Sequence, residues 1–175
     1  MQFTMKTFGM LTLLFGAFTL SASAETKVSD AQIAAIVVAA NQVDIDAGKF
    51  AAKKSTNPEV QKFAQTMVTD HTAVNKSAVD LVTKLKVSPE ENDTSRALKV
   101  GGEKSMTALR PLSGKAFDQA YVDREVAYHQ QVIDALDTVL IPNAHNAELK
   151  ALLVKVRPAF IEHLNHAKHL QSSLR

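Results

Sequence analysis

Val60, Ala64, Met67, Val74, Ala78, Leu81 and Leu85 fall at alternating steps of four and three, and His71 fills the one remaining place in the row. That spacing lines one face of a helix that packs in a bundle. His71 is the only strongly polar member. An imidazole in the middle of an inward row needs partners at its own depth, so the rest of the chain is best read by asking which helices could supply them.

Three further segments carry such a row. Ser29 and Gln32 form a capping box, after which Ile33, Val37, Ala40, Asp44, Ala47 and Ala51 line one face. This helix is expected to end near Lys53-Lys54, whose charges suit a C-terminus. Asn57 as cap and Pro58 as first helical residue open the second helix, which runs to about Lys86, and so short a connection makes the pair an antiparallel hairpin. A third helix, from about Ser113 to Leu140, carries Val122, Val126, His129, Ile133, Leu136 and Leu140. After Ile141-Pro142-Asn143 a fourth, from about Asn146 to Ser173, carries Leu149, Leu153, Val156, Phe160, His163, Ala167 and Leu170. Pro158 lies inside it, frees the carbonyl of Val154 and is expected to kink the chain a little over a turn before His163. Between the second and third helices, Val87 to Thr94 is polar and breaker-rich. Ser95 to Arg110 then reads as a short, partly helical connector, weakened by Gly101-Gly102, that crosses the end of the bundle. The expected fold is all-α, an up-down-up-down four-helix bundle.

Each inward row has one interrupting residue, and all four are of metal-ligand type: Asp44, His71, His129 and His163. At about 1.5 Å per residue they lie roughly 15, 20, 16 and 25 Å below the same end of such a bundle, which is compatible with one layer. Imidazole and carboxylate together suit zinc, iron, copper or manganese, with water in any open position. Glu125, one turn before His129, is placed as a fifth ligand or as an acceptor that orients His129, and Asp70 as a similar outer partner. Tyr121 is two turns before His129. The same spacing would also serve a metal-free hydrogen-bond network that fixes the register of the helices. His145, His166 and His169 fall off the inward rows and read as solvated surface, and Met67 reads as packing.

With 175 residues, 46% hydrophobic and 22% charged, the chain is sized for one domain with a real core. Residues 1–24 have the three-part form of a secretory signal: Lys6, the apolar run Phe8 to Leu20, then Ala22-Ser23-Ala24, with cleavage expected before Glu25. An uncleaved anchor is the alternative, although the run is short of the roughly 20 residues a span needs. The expected mature domain is 25–175, with no transmembrane segment, and the leader places it in the periplasm or outer envelope. There is no cysteine, hence no disulfide and no lipid-modified N-terminal Cys. Twenty basic residues stand among 18 acidic ones without forming a stripe, which argues against nucleic acid.

The run Phe63-Ala64-Gln65-Thr66-Met67-Val68-Thr69-Asp70-His71-Thr72, then Gly114 to Val122 with His129, and Pro158 with His163-Leu164, resembles the bacterial secreted family catalogued as domain of unknown function 4142. Over about Ser29 to Leu170 the resemblance implies an exported, ferritin-like four-helix bundle, of a kind often labelled outer-membrane protein, and it implies no particular reaction. Members tend to carry Glu where this chain has Asp44. The Glu-x-x-His pairs of true ferritins are absent, because Glu125 to His129 is a step of four and Ile161-Glu162 precede His163.

Two functions follow. One is an exported bundle binding a transition metal at Asp44, His71, His129 and His163, for envelope metal storage, sensing or stress protection. The other is a structural or interaction module of the envelope whose buried layer is a hydrogen-bond network only; an envelope partner and a homo-oligomer both stay open. Haem lacks a C-x-x-C-H attachment and ranks behind both. No catalytic residue is identified: there is no Cys nucleophile, no G-x-S-x-G and no Gly-rich phosphate loop.

Overall fold

The computed structural model describes residues 27–175, so the leader expected at 1–24 and its cleavage point lie outside the described residues. Those residues are all-α, with no strand among them. No helix among them is long and apolar enough to cross a membrane.

Helix α1 (Asp30–Lys54) begins at the Ser29/Gln32 capping box, both halves of which form, and ends on Lys53 and Lys54. Helix α2 (Pro58–Leu85) starts from the Asn57 side chain, which accepts from the amides of Glu59 and Val60, with Pro58 in its first turn. It stops where Lys86 turns left-handed, at φ 53°. Partners along the two helices run in opposite order: Gly48 lies against Ala64 and Val68, Asn41 bonds His71, and Val38 accepts from Asn75.

Helix α3 (Asp93–Leu109) corrects the expected connector. It is a continuous helix of 17 residues, capped by a reciprocal Asn92/Ser95 box. It lies along α1 and does not cross an end: Asn92 donates to the Gln32 carbonyl at one limit and Lys54 to the Arg110 carbonyl at the other. Its glycines do not break it, because Gly102 is where it crosses Val43. A Cβ there would come within 2.9 Å of both Val43 methyls, so the close approach offsets the helix-propensity cost. A second covered face also explains why Ala35 and Ala39 are buried on α1 outside its predicted row.

Helix α4 (Gly114–Ala135) continues through a π turn, Leu136–Leu140, into a last short turn, Ile141–Asn143. In the π turn the Ile141 amide bonds back to the Leu136 carbonyl. Pro142 supplies the reason: it has no N–H to give, and in α register its ring would press on the carbonyl four residues back, so the backbone widens just ahead of it. Helix α5 (Ala147–Leu174) is capped by Asn146 and carries Pro158 in its interior. Its partners on α4 again run in reverse, Asp137 with Arg157, Asp123 with Gln171 and Gln119 with the Leu174 carbonyl.

The core has two apolar clusters. One gathers Ile33, Val37, Ala78, Ile133, Leu140, Leu153 and Phe160, the other Ala47, Ala51, Phe63, Met67, Phe117, Val122 and Ala167. On α1, α2 and α4 the interrupting residues fall between the two sets in chain order, as does His163 between Phe160 and Ala167 on α5. The buried polar layer is therefore sealed above and below by hydrocarbon.

Candidate metal centre

The four interrupting residues meet. Asp44, His71 and His129 are 0–1% exposed and His163 is 7% exposed. The imidazoles of His71, His129 and His163 come from three different helices and form a near-equilateral triangle, with centroids 5.5, 5.3 and 5.4 Å apart. Phe160 covers the triangle on the side of the first apolar cluster, 5.1 Å from the His71 ring.

Each ring is held by its outer nitrogen. The Asn41 amide nitrogen donates to the Val37 carbonyl at 2.8 Å, which turns its oxygen toward His71, and His71 Nδ1 donates to that oxygen at 2.7 Å. His129 Nδ1 donates to the Glu125 backbone carbonyl at 3.0 Å. His163 Nε2 donates to Asp70 Oδ2 at 2.9 Å. Carbonyl and carboxylate oxygens only accept, so in the neutral rings the inner nitrogens, His71 Nε2, His129 Nε2 and His163 Nδ1, keep their lone pairs. All three are buried without a hydrogen-bond partner.

The carboxylates are arranged in the same way. Arg124 Nη1 donates to Asp44 Oδ1 at 2.6 Å and also to Glu125 Oε1, so one guanidinium nitrogen occupies the outer oxygen of each acid. The inner oxygens, Asp44 Oδ2 and Glu125 Oε2, are buried and unpartnered. Asp44 Oδ2 lies 3.0 Å from His71 Nε2 and 3.8 Å from His129 Nε2, and the first of these contacts is not aligned as a hydrogen bond. Two donors about 2.1 Å from one tetrahedral ion would stand about 3.4 Å apart. One nitrogen from each of the three histidines lies within 4.8 Å of the others, and Asp44, Glu125 and His129 form a second such group, in which Glu125 Oε2 is 3.5 Å from His129 Nδ1, so these buried groups could hold a metal ion.

Burial sets the electrostatics. It would raise the Asp44 carboxyl, but His71, Arg124 and His129 outweigh it and hold Asp44 well below the usual carboxylate range. Glu125 goes the other way: burial raises it well above that range, and the Asp44 charge adds to the rise while Arg124 opposes it. Burial also lowers His129 to about 4, against the pull of Asp44, and lowers His163. Asp44 is thus favoured as the ionised carboxylate, while burial favours the protonated form of Glu125 and the neutral imidazoles of His129 and His163.

Asp70 stands where an outer partner was expected, although on His163. Glu125 lies beside His129, its main-chain carbonyl accepting from His129 Nδ1 and its Oε2 3.5 Å from the same nitrogen. Tyr121 is fully buried with its hydroxyl unpartnered, and burial, then Glu125 and Asp44, push its pKa well up. His145, His166 and His169 are exposed, as expected. Asn41 and Arg124 were not anticipated. Asn41 sits one turn before Asp44, and a polar residue one turn from an interrupting acid was the available signal; Arg124 is the chain neighbour of Glu125.

No curated protein and no solved structure matches the chain. The sequence profile described as "Domain of unknown function (DUF4142)" matches residues 17–170, nearly the whole chain, and the protein belongs to that family.

Proposed function

We propose that this is an exported, ferritin-like protein in which α1, α2, α4 and α5 form an up-down-up-down bundle around a single transition-metal ion. Its role would be metal handling or protection from metal stress in the periplasm or outer envelope. The reversed order of partners on α1 and α2, on α4 and α5, and on α2 and α5, where Lys84 meets Glu148 and Asp70 meets His163, supports the bundle. The ligands are Asp44 Oδ2, His71 Nε2, His129 Nε2 and His163 Nδ1, with Glu125 Oε2 as a fifth. Asp70, Asn41 and Arg124 hold them from outside.

One observation carries the metal reading. Five inner atoms, all buried and all without a hydrogen-bond partner, come from four helices into one layer, while the opposite atom of every one of those side chains, or its ring partner, is bonded outward. A network that only fixed helix register would pair these atoms with one another; Asp44 Oδ2 and His71 Nε2 approach at 3.0 Å, but the free nitrogens of His129 and His163 are left as unpaired buried acceptors, at about 1–3 kcal/mol each. A cation at the three histidines, or at Asp44, Glu125 and His129, would satisfy three of them at once. Three imidazoles with one or two carboxylates suit zinc, iron, copper or manganese.

The test is thermal melting at pH 7.5 with each of these metals or with chelator. Metal at a hundred times its dissociation constant stabilises the folded state by about 2.7 kcal/mol. Chelator should therefore lower the melting temperature of the wild type and leave His71→Leu and His129→Leu unmoved. Equal melting of the wild type under every condition would overturn the metal reading in favour of the network.

A further inference from the structure

Beside the buried layer, between α3 and α4, lies a cavity of about 390 Å³ lined by Val43, Leu98, Gly101, Ser105, Arg124 and Tyr128, among others. Among the described residues, Arg124 is the only charged one on its walls. The guanidinium spends Nη1 on Asp44 and Glu125, and among the described residues its Nε and Nη2 donate to no protein atom. Its Cζ sits 4.5 Å over the Tyr128 ring, and the side chain keeps 12% exposure. One edge of a nearly buried cation thus serves the carboxylates, and the residue that carries the remaining donors lines this cavity.

The geometry points to a site for a small amphipathic organic monocarboxylate. Nε and Nη2 form the fork that a carboxylate accepts through two parallel hydrogen bonds. The hydrocarbon body would lie against Val43, Leu98 and the small side chains of α3. The volume falls within the roughly 300–1,000 Å³ of small-ligand pockets. A doubly charged phosphate would bring a second negative charge toward the ionised Asp44, so a single charge fits better. The larger cleft of about 820 Å³ between α1 and α3 carries Asp46, Glu91, Lys99, Glu103 and Arg110, charges of both signs that select no one ligand.

Occupancy would also regulate the metal layer. An anion on the far edge of Arg124 cancels part of the positive charge that stands beside the ion, so carboxylate and metal should each tighten the other, and by the same factor. This coupling rests on the metal reading; the anion site itself does not.

The experiment is calorimetric titration of octanoate into the full chain, with and without zinc, using octanol and octylamine as controls. One octanoate should bind per chain in both states, and neither control should bind. Zinc affinity should rise several-fold in saturating octanoate. Gly101 lines the cavity and a Cβ there meets no atom within 4 Å, so Gly101→Leu adds hydrocarbon at the cavity wall without a clash. It should abolish octanoate binding and leave zinc uptake at the wild-type level. Absence of octanoate binding to the wild type, equal binding to Gly101→Leu, or equal binding of octylamine would overturn the site. Octanoate binding without any zinc binding would sink the metal reading and leave the cavity assignment standing. Both ligands binding with no mutual effect would overturn the coupling.

Discussion

At the scale of single residues, the site depends on which nitrogen of each histidine carries the proton, and that is decided by atoms outside the layer. Asn41 is the sharpest case, because its oxygen can face His71 only while its amide nitrogen is engaged by the Val37 carbonyl. Asn41→Leu removes no proposed ligand, yet it frees the His71 ring to turn or to change tautomer. Metal affinity should fall about 10- to 100-fold, the usual cost of losing such an outer partner. Competition against a chelator of known affinity checks this, and an unchanged affinity would mean that His71 is oriented by something else. The inward residues were readable in the sequence because a polar side chain in an apolar row breaks a period that can be counted. Asn41 and Arg124 were not, because their part in the site depends on contacts across helices, Asn41 with His71 and Arg124 reaching back 80 positions to Asp44.

Among the elements, the four long helices were legible to within a few residues because caps, prolines and the inward rows all mark the same boundaries. Helix α3 is hidden from the sequence for a physical reason. Two adjacent glycines lower helix propensity in any isolated segment, and what offsets the cost is a contact with Val43 that no local pattern reveals. The two glycines should therefore respond in opposite ways. Gly101→Ala, in open space, should stabilise the protein by about 0.5–1 kcal/mol, the usual gain from Gly to Ala in a helix interior. Gly102→Ala, with its Cβ 2.9 Å from Val43, must push α3 away from α1 and should destabilise by about 1–3 kcal/mol, as overpacking does. Denaturant unfolding separates them. The same sign for both would mean that α3 does not depend on close approach to α1. The π turn was likewise hidden: Pro142 announced an interruption near the end of α4, but a proline also suits a plain stop, and only the packed helix shows that the backbone widens and continues.

For the molecule as a whole, the buried layer should write itself into the pH dependence of stability. In the metal-free protein, burial holds His129 near 4, below the value of about 6.5 for an unfolded histidine. Between these values the unfolded chain binds a proton that the folded one refuses, so stability falls as the pH drops through this window, by at most about 1.4 kcal/mol per pH unit. The lowered His163 adds to this slope in the same direction. Glu125 acts with the opposite sign. Its folded carboxyl stays protonated above the value of about 4.3 at which the unfolded side chain ionises, so its contribution is fully present below that pH and is lost as the pH rises through its raised value. Above about 4.3 the two effects oppose each other, and the imidazole terms flatten near 6.5. Metal-free wild type should thus lose, as the pH rises above about 4.3, a contribution that Glu125→Gln lacks. Glu125→Gln, which cannot ionise, should keep only the imidazole slope and decline below pH 6.5. Bound metal replaces the proton that Glu125 would otherwise hold, so the stabilisation from zinc should grow with rising pH in the wild type and change less in Glu125→Gln. Thermal melts of both proteins in chelator and in zinc across pH 4.5 to 8 provide the measurement. A stability difference between metal-free wild type and Glu125→Gln that stays constant across this range, or that shifts in favour of the wild type as the pH rises, would show that Glu125 is ionised in the folded protein and that Arg124 outweighs its burial.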